Sequence, residues 1–144
     1  MTANVKMVLN NIPTLKRALT GSALMPSARN GGLVIQGQAR MYVPVDTAYL
    51  KNSIQVEESR TTATGAYVNI GSSAVYANIQ ELGGVIKPKT AKRLFWIGKD
   101  GKGHSANAVT IKAQPYMRPA VDNHKPSILS AVGAAIKMIV ERAL

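Results

Sequence analysis

The sequence predicts an α+β fold: one antiparallel sheet packed by N-terminal and C-terminal helices, with a long basic hairpin or loop set between them. Three observations carry that expectation. Apolar residues recur at helical three-four spacing early in the chain and again at its end. Between them, from Ile54 to Gly71, the period changes to two. A stretch rich in Lys, Gly, Ser and Asn then separates this alternating region from the last helix. With 144 residues, 46% of them hydrophobic and 17% charged, the chain has enough apolar material to bury a core, and a single domain spanning 1–144 is expected.

The elements follow in order. After Pro13, tolerated at a helix start because its missing N–H would be unpaired there, Leu15, Ala18, Leu19 and Ser22 advance at helical spacing. Pro26 and the pair Gly31-Gly32 are expected to interrupt this helix. A second helical stretch runs from Leu33 to Val43, where Pro44 disfavours helical geometry in the residue before it, giving one long kinked helix or two in sequence. Ile54 and Val56 alternate with Gln55 and Glu57, and Ala66 to Gly71 repeats the pattern across a turn at Thr61 to Gly65, as an antiparallel hairpin requires. Ala74 to Leu82 reads as a short helix stopped by Gly83-Gly84. Leu94 to Ile97 and Val109 to Lys112 read as the two strands of a long hairpin with a mobile tip between them. Ile128, Leu129, Val132, Ile136, Ile139 and Val140 mark the apolar stripe of a last helix opened by Pro126, and the sheet is its expected partner.

Composition narrows the chemistry. The absence of cysteine excludes disulfides, thiolate metal sites and cysteine nucleophiles, and fits a reducing compartment. No uninterrupted apolar run approaches the length of a membrane span and the first residues lack the apolar core of a signal peptide, so the chain is expected in cytoplasm or in something assembled there. Eighteen Lys and Arg against seven Asp and Glu give a formal charge of +11, which favours anionic partners without choosing among nucleic acid, acidic protein faces and phospholipid.

No catalytic constellation is evident. His104 and His124 are far apart in sequence, without the clustering that a metal site needs. Glu57 and Glu58 are adjacent in a strand and should point to opposite faces, and Asp46, Glu81, Asp100, Asp122 and Glu141 are scattered. No phosphate-binding glycine loop and no Gly-x-Ser-x-Gly elbow occur. The expectation is a non-enzyme with no cofactor and no metal. The basic residues Lys87, Lys89, Lys92 and Arg93, with Lys99 and Lys102 beyond them, lie beside Phe95 and Trp96 and are candidates for partner or DNA contact. If Phe95 and Trp96 alternate across a strand, one of them should fill the core.

The stretch "PVDTAYLKNSI", residues 44–54, reads as a helix-to-strand joint. Pro44 stops the preceding helix, Asp46 or Thr47 caps a short following turn, and Tyr49 and Leu50 drop into the core. Thr47 as a nucleophile would need an activating base held against it, whereas capping needs only local geometry and is the stronger reading.

That motif, followed by "YANIQELGG" and then by "QPYMRPAV" before the last helix, resembles the small tail-component family of long-tailed bacteriophages, whose members complete tails or join heads to tails. The family pattern is Pro-Val-Asp-Thr-Gly-x-Leu-Arg/Lys-x-Ser-Ile, then Tyr-Ala near Glu-x-Gly-Gly, then Pro-aromatic-x-Arg-Pro-Ala. Pro44, Asp46, Thr47, Leu50, Tyr116, Arg118 and Pro119 are the residues here that match it. The chain departs from it at Ala48, where the family has Gly; Ala is favourable there if the position lies in a helix's first turn. The resemblance implies a virion structural protein at the tail-neck junction, a subunit of a ring homo-oligomer touching the tail tube protein and the head-neck connector. DNA would pass through the ring, in non-specific contact with its lysines. In that setting the segment from Lys87 to Ala108 would be an inter-subunit or head-docking arm, and Arg118 would satisfy backbone carbonyls or a carboxylate. Two rival readings are a free basic nucleic-acid-binding module and, last, a small metal-dependent hydrolase or nuclease.

Overall fold

A computed structural model describes residues 13–44 and 48–144. Asp46 and Thr47, the expected capping residues of the joint, lie outside the described residues. Residues 13–18 are helical (α1), and the chain turns at Leu19 before a second start at Thr20, whose hydroxyl accepts the Ala23 N–H at 3.4 Å. From there α2, Gly21–Tyr42, is one unbroken helix. The expected interruptions at Pro26 and Gly31-Gly32 do not occur.

Packing explains why the glycine pair is tolerated. A Cβ on Gly31 would meet Val132 Cγ2 at 2.8 Å, and one on Gly32 would meet Val68 Cγ2 at 3.0 Å. The two glycines therefore face different neighbours, the last helix on one side and the hairpin on the other, and let α2 approach both closely. Propensity argues for a break here, and burial overrides it.

Val43 caps α2 in extended geometry (φ −64°, ψ 130°), as a residue before proline prefers. The short helix α3, Ala48–Ser53, follows and leads directly into β1, Ile54–Thr61, which pairs antiparallel with β2, Ala66–Ser72. Ala48 opens α3, so the residue that departs from the family pattern sits in a helix's first turn, and no described residue other than glycine has a positive φ. The hairpin ladder is irregular between Val56 and Ser59, over the Glu57–Glu58 pair. At its other end the turn packs on the start of α2, where the Gly21 N–H donates to Ala63 O and a Cβ would collide with Thr62 O.

Next come α4, Ala77–Leu82, and β3, Gly84–Ile86. Gly83 (φ +68°) ends α4, as expected. The excursion beyond it differs in pairing from the sequence expectation: β4, Leu94–Ile97, pairs with β5, Gly103–Ala106, inside the stretch read as a mobile tip, and β6, Val109–Ile111, returns to pair with β3. The basic hairpin is thus two short ladders in series.

Two helices close the chain, α5, Met117–Asp122, and α6, Lys125–Ala143. The sheet covered by helices is the β1–β2 hairpin, but α6 packs on α2 rather than on that sheet, so α2 is the middle layer. A second correction concerns the stripe of α6. Leu129 is 70% exposed and Ala135 is the most deeply buried residue of the helix, while the side chains that approach α2 at Gly31 are Val132 and Ile128.

Candidate functional site

Three sequence motifs meet in one buried cluster. Val43 at the end of α2, Leu50 and Ile54 from the joint, Ala74 and Ala77 from the α4 region, and Tyr116 and Ala120 from the α5 region pack together with Ala39. Leu50 and Ile54 are wholly buried, each contributing on the order of 2–3 kcal/mol of transfer free energy. Tyr49, expected to join them, is instead exposed and lies against Tyr76 with ring centroids 6.4 Å apart.

Polar contacts seal the joint. The Ile54 carbonyl accepts from Arg40 Nη2 at 2.7 Å, Arg40 Nε at 3.2 Å and Gln36 Nε2 at 3.1 Å. Ser53 Oγ donates to Leu50 O at 2.8 Å and lies 2.6 Å from Ser72 Oγ, which accepts the Ala74 N–H. The terminal Ser-Ile of the motif therefore ties α3, β1 and the end of β2 to α2.

The second and third motifs are clamped by a carboxylate. Glu81 accepts the backbone N–H of Tyr116 at 2.7 Å and of Met117 at 2.9 Å on Oε2, and that of Arg118 at 3.0 Å on Oε1. These are orphan donors at the start of α5, which no residue within the helix can satisfy. Burial pushes the Glu81 carboxyl up, but the three N–H donors and the Arg118 charge together outweigh it and hold it below its ordinary value. Arg118, expected to reach carbonyls or a carboxylate with its side chain, meets Glu81 through its backbone N–H, and its exposed guanidinium adds favourable charge. Burial, and then the Glu81 charge, raise the Tyr116 phenol. Pro119 sits inside α5, where its carbonyl accepts the Asn123 N–H.

The same region forms the root of the basic arm. The Gln114 N–H donates to Gln80 O at 2.8 Å and the two side chains meet at 2.5 Å, while Gly83 lets the returning chain pass so close that a Cβ would stand 2.7 Å from Ala113 N. From this root project Lys87, Lys89, Lys92, Arg93, Lys99 and Lys102, all exposed. Arg93 Nη2 donates to Ser105 O at 3.4 Å across the β4–β5 ladder. The tip is ordered: Gly98 N–H donates to Lys102 O, Gly101 takes φ +72°, and Asp100 Oδ1 accepts the Lys102 N–H and lies 3.1 Å from His104 Nε2. The Lys102 N–H first, and then His104, lower the Asp100 carboxyl. His104 stacks on Trp96, its cross-strand neighbour, at 5.6 Å and 19°.

Neither aromatic of β4 fills the core. Phe95 is 74% and Trp96 41% exposed, because β4 belongs to the arm and has no helix behind it. With Ile86, Leu94, Val109 and Ile111 they line an apolar groove between the two ladders. The sequence signal that could have located this groove was the run of four apolar residues from Leu94 to Ile97, longer than an alternating strand needs.

Among the described residues no three His, Asp or Glu side chains gather as a metal site requires. His124 lies beside Tyr42 Oη at 3.4 Å, whereas His104 is held by Asp100 and Trp96. No helix among the described residues is long and apolar enough to cross a membrane. No protein-family model, curated protein or solved structure matches the chain significantly.

Proposed function

We propose that this chain is a subunit of the ring that completes the head-proximal end of a bacteriophage tail and joins it to the head-neck connector. It acts by assembly, with no catalytic step, and its place is the tail-neck junction of the virion. One observation carries the reading: the three motifs of the family resemblance share a single buried cluster, and Glu81 of the second is bonded to the backbone of the third. Such shared construction is what a common scaffold would require of motifs so far apart in sequence.

Two further features support it. The body carries exposed apolar side chains in separate places, Tyr49 and Val75 near α3 and α4, and Leu129 and Met138 on the outer helix α6. A ring built head to tail needs two unlike adhesive faces of this kind. The arm also projects as an ordered, basic element suited to reach a neighbour in an assembly.

The second reading, a free nucleic-acid-binding module, draws on exposed Trp96 and Phe95 beside Lys92 and Arg93. Deleting the gene from its parent phage or prophage and counting heads, tails and joined particles in lysates by negative-stain microscopy separates the two. Filled heads beside free tails, or tails of uncontrolled length, are expected. Normal infectious particles would remove the assembly role and put the nucleic-acid module first.

A further inference from the structure

The arm presents two properties on one element. Its groove is lined by Ile86, Leu94, Phe95, Trp96, Val109 and Ile111. Residues 84–112 around it carry seven Lys and Arg against the single acid Asp100. An exposed apolar groove on so basic a segment has the form of a protein-docking surface, an apolar patch with charged residues close by in the chain. Order lowers the entropic cost of docking, and here it comes from the β3–β6 and β4–β5 ladders and the Trp96–His104 stack.

Charge decides the occupant. Outside the arm the chain still carries eleven Lys and Arg against six Asp and Glu, so a second copy would bring like charge toward the arm. Nucleic acid would satisfy the lysines, yet four of the six groove residues are aliphatic and offer nothing to a base edge or a phosphate, and one face of Trp96 is already covered by His104.

We propose that the arm docks into a different protein, one presenting apolar side chains ringed by Asp and Glu. This rests on the assembly reading above and assigns the arm to the contact between unlike proteins, leaving the contacts between copies to the body. Trp96 and Phe95 are the anchors; Lys87, Lys89, Lys92 and Arg93 steer the approach.

The test uses the full-length protein, a lysate of the deletion phage, and two arm variants. One variant is Trp96→Ala, and the other combines Lys87→Glu, Lys89→Glu, Lys92→Glu and Arg93→Glu. These side chains are exposed, so the charge variant keeps the fold even if loss of the indole loosens the hairpin. Purified wild-type protein added to the lysate should restore joined particles, and each variant should restore at least tenfold fewer while keeping the wild-type oligomeric mass. A photo-crosslinking analogue at position 97, beside the anchors on β4, should join the chain to a second, acidic protein in assembled particles.

Crosslinks between copies, a fall in oligomeric mass for either variant, or full restoration by both would overturn the arm's role and leave the assembly reading standing. Saturable quenching of Trp96, the only tryptophan, by single-stranded or duplex DNA at about 150 mM salt would overturn it in favour of nucleic acid. Normal particles in the deletion lysate before any protein is added would overturn both readings together.

Discussion

Replacing Glu81 should unfasten the start of α5 from α4. In the Glu81→Ala variant the Tyr116 and Met117 N–H groups, both part-buried, lose an ionised acceptor, whereas the Arg118 N–H is exposed and regains water. A part-buried donor left unpaired costs about 1–1.5 kcal/mol, so the pair predicts a loss of about 2–3 kcal/mol. That corresponds to a Tm lowered by roughly 6–10 °C in a chain of this size. Glu81→Gln keeps an acceptor oxygen but not the charge, and should lose roughly half as much.

The pH dependence has a definite sign. The Glu81 carboxyl is held below its ordinary value of 4.5, so its contribution is present above the unfolded value and is lost as pH falls through the folded one. The gap between wild type and Glu81→Gln should therefore be full at neutral pH and shrink below about pH 4.5. Urea unfolding followed by circular dichroism at several pH values measures it. A Glu81→Ala protein within about 0.5 kcal/mol of wild type at pH 7, with unchanged m-value, would refute the clamp.

Three other substitutions probe the middle layer, each by thermal or urea unfolding. Gly31→Ala should destabilise by about 1–2 kcal/mol because its Cβ would stand 2.8 Å from Val132 Cγ2, on a branched side chain with little freedom to yield. Gly37→Ala, with nothing within 4 Å of the new Cβ, should stabilise by about 0.5–1 kcal/mol through helix propensity alone, and equal effects at the two positions would contradict the close approach of α6. Ser27→Ala should be neutral or stabilising by up to about 1 kcal/mol, because the buried Ser27 Oγ has no hydrogen-bond partner among the described residues.

Much of the local structure was legible in the chain. The hairpin from Ile54 to Ser72, the stop at Gly83 and the last helix all announce themselves by period, turn residues or glycine, because each depends on residues near one another in sequence. The joint at residues 44–54 was also legible as a joint: Val43 is extended before Pro44, and Leu50 and Ile54 are buried. Tyr49 was not, since a helix only six residues long has no periodicity by which to assign a face.

Sequence by itself determined the α+β class, the first hairpin and the helices that flank it, the basic charge of the arm and the identity of the turn residues, all set by local conformational preference and composition. Tertiary structure alone decided the rest. It ran α2 through Pro26 and the glycine pair, because burial on two sides outweighs about 1 kcal/mol of propensity per glycine. It gave α6 to α2 instead of to the sheet, paired β3 with β6 around an inner hairpin, and turned Glu81 from a scattered acid into a clamp on residues 35 to 37 positions away. Each of these depends on which distant surfaces meet, and a one-dimensional pattern carries no record of that until the chain has folded.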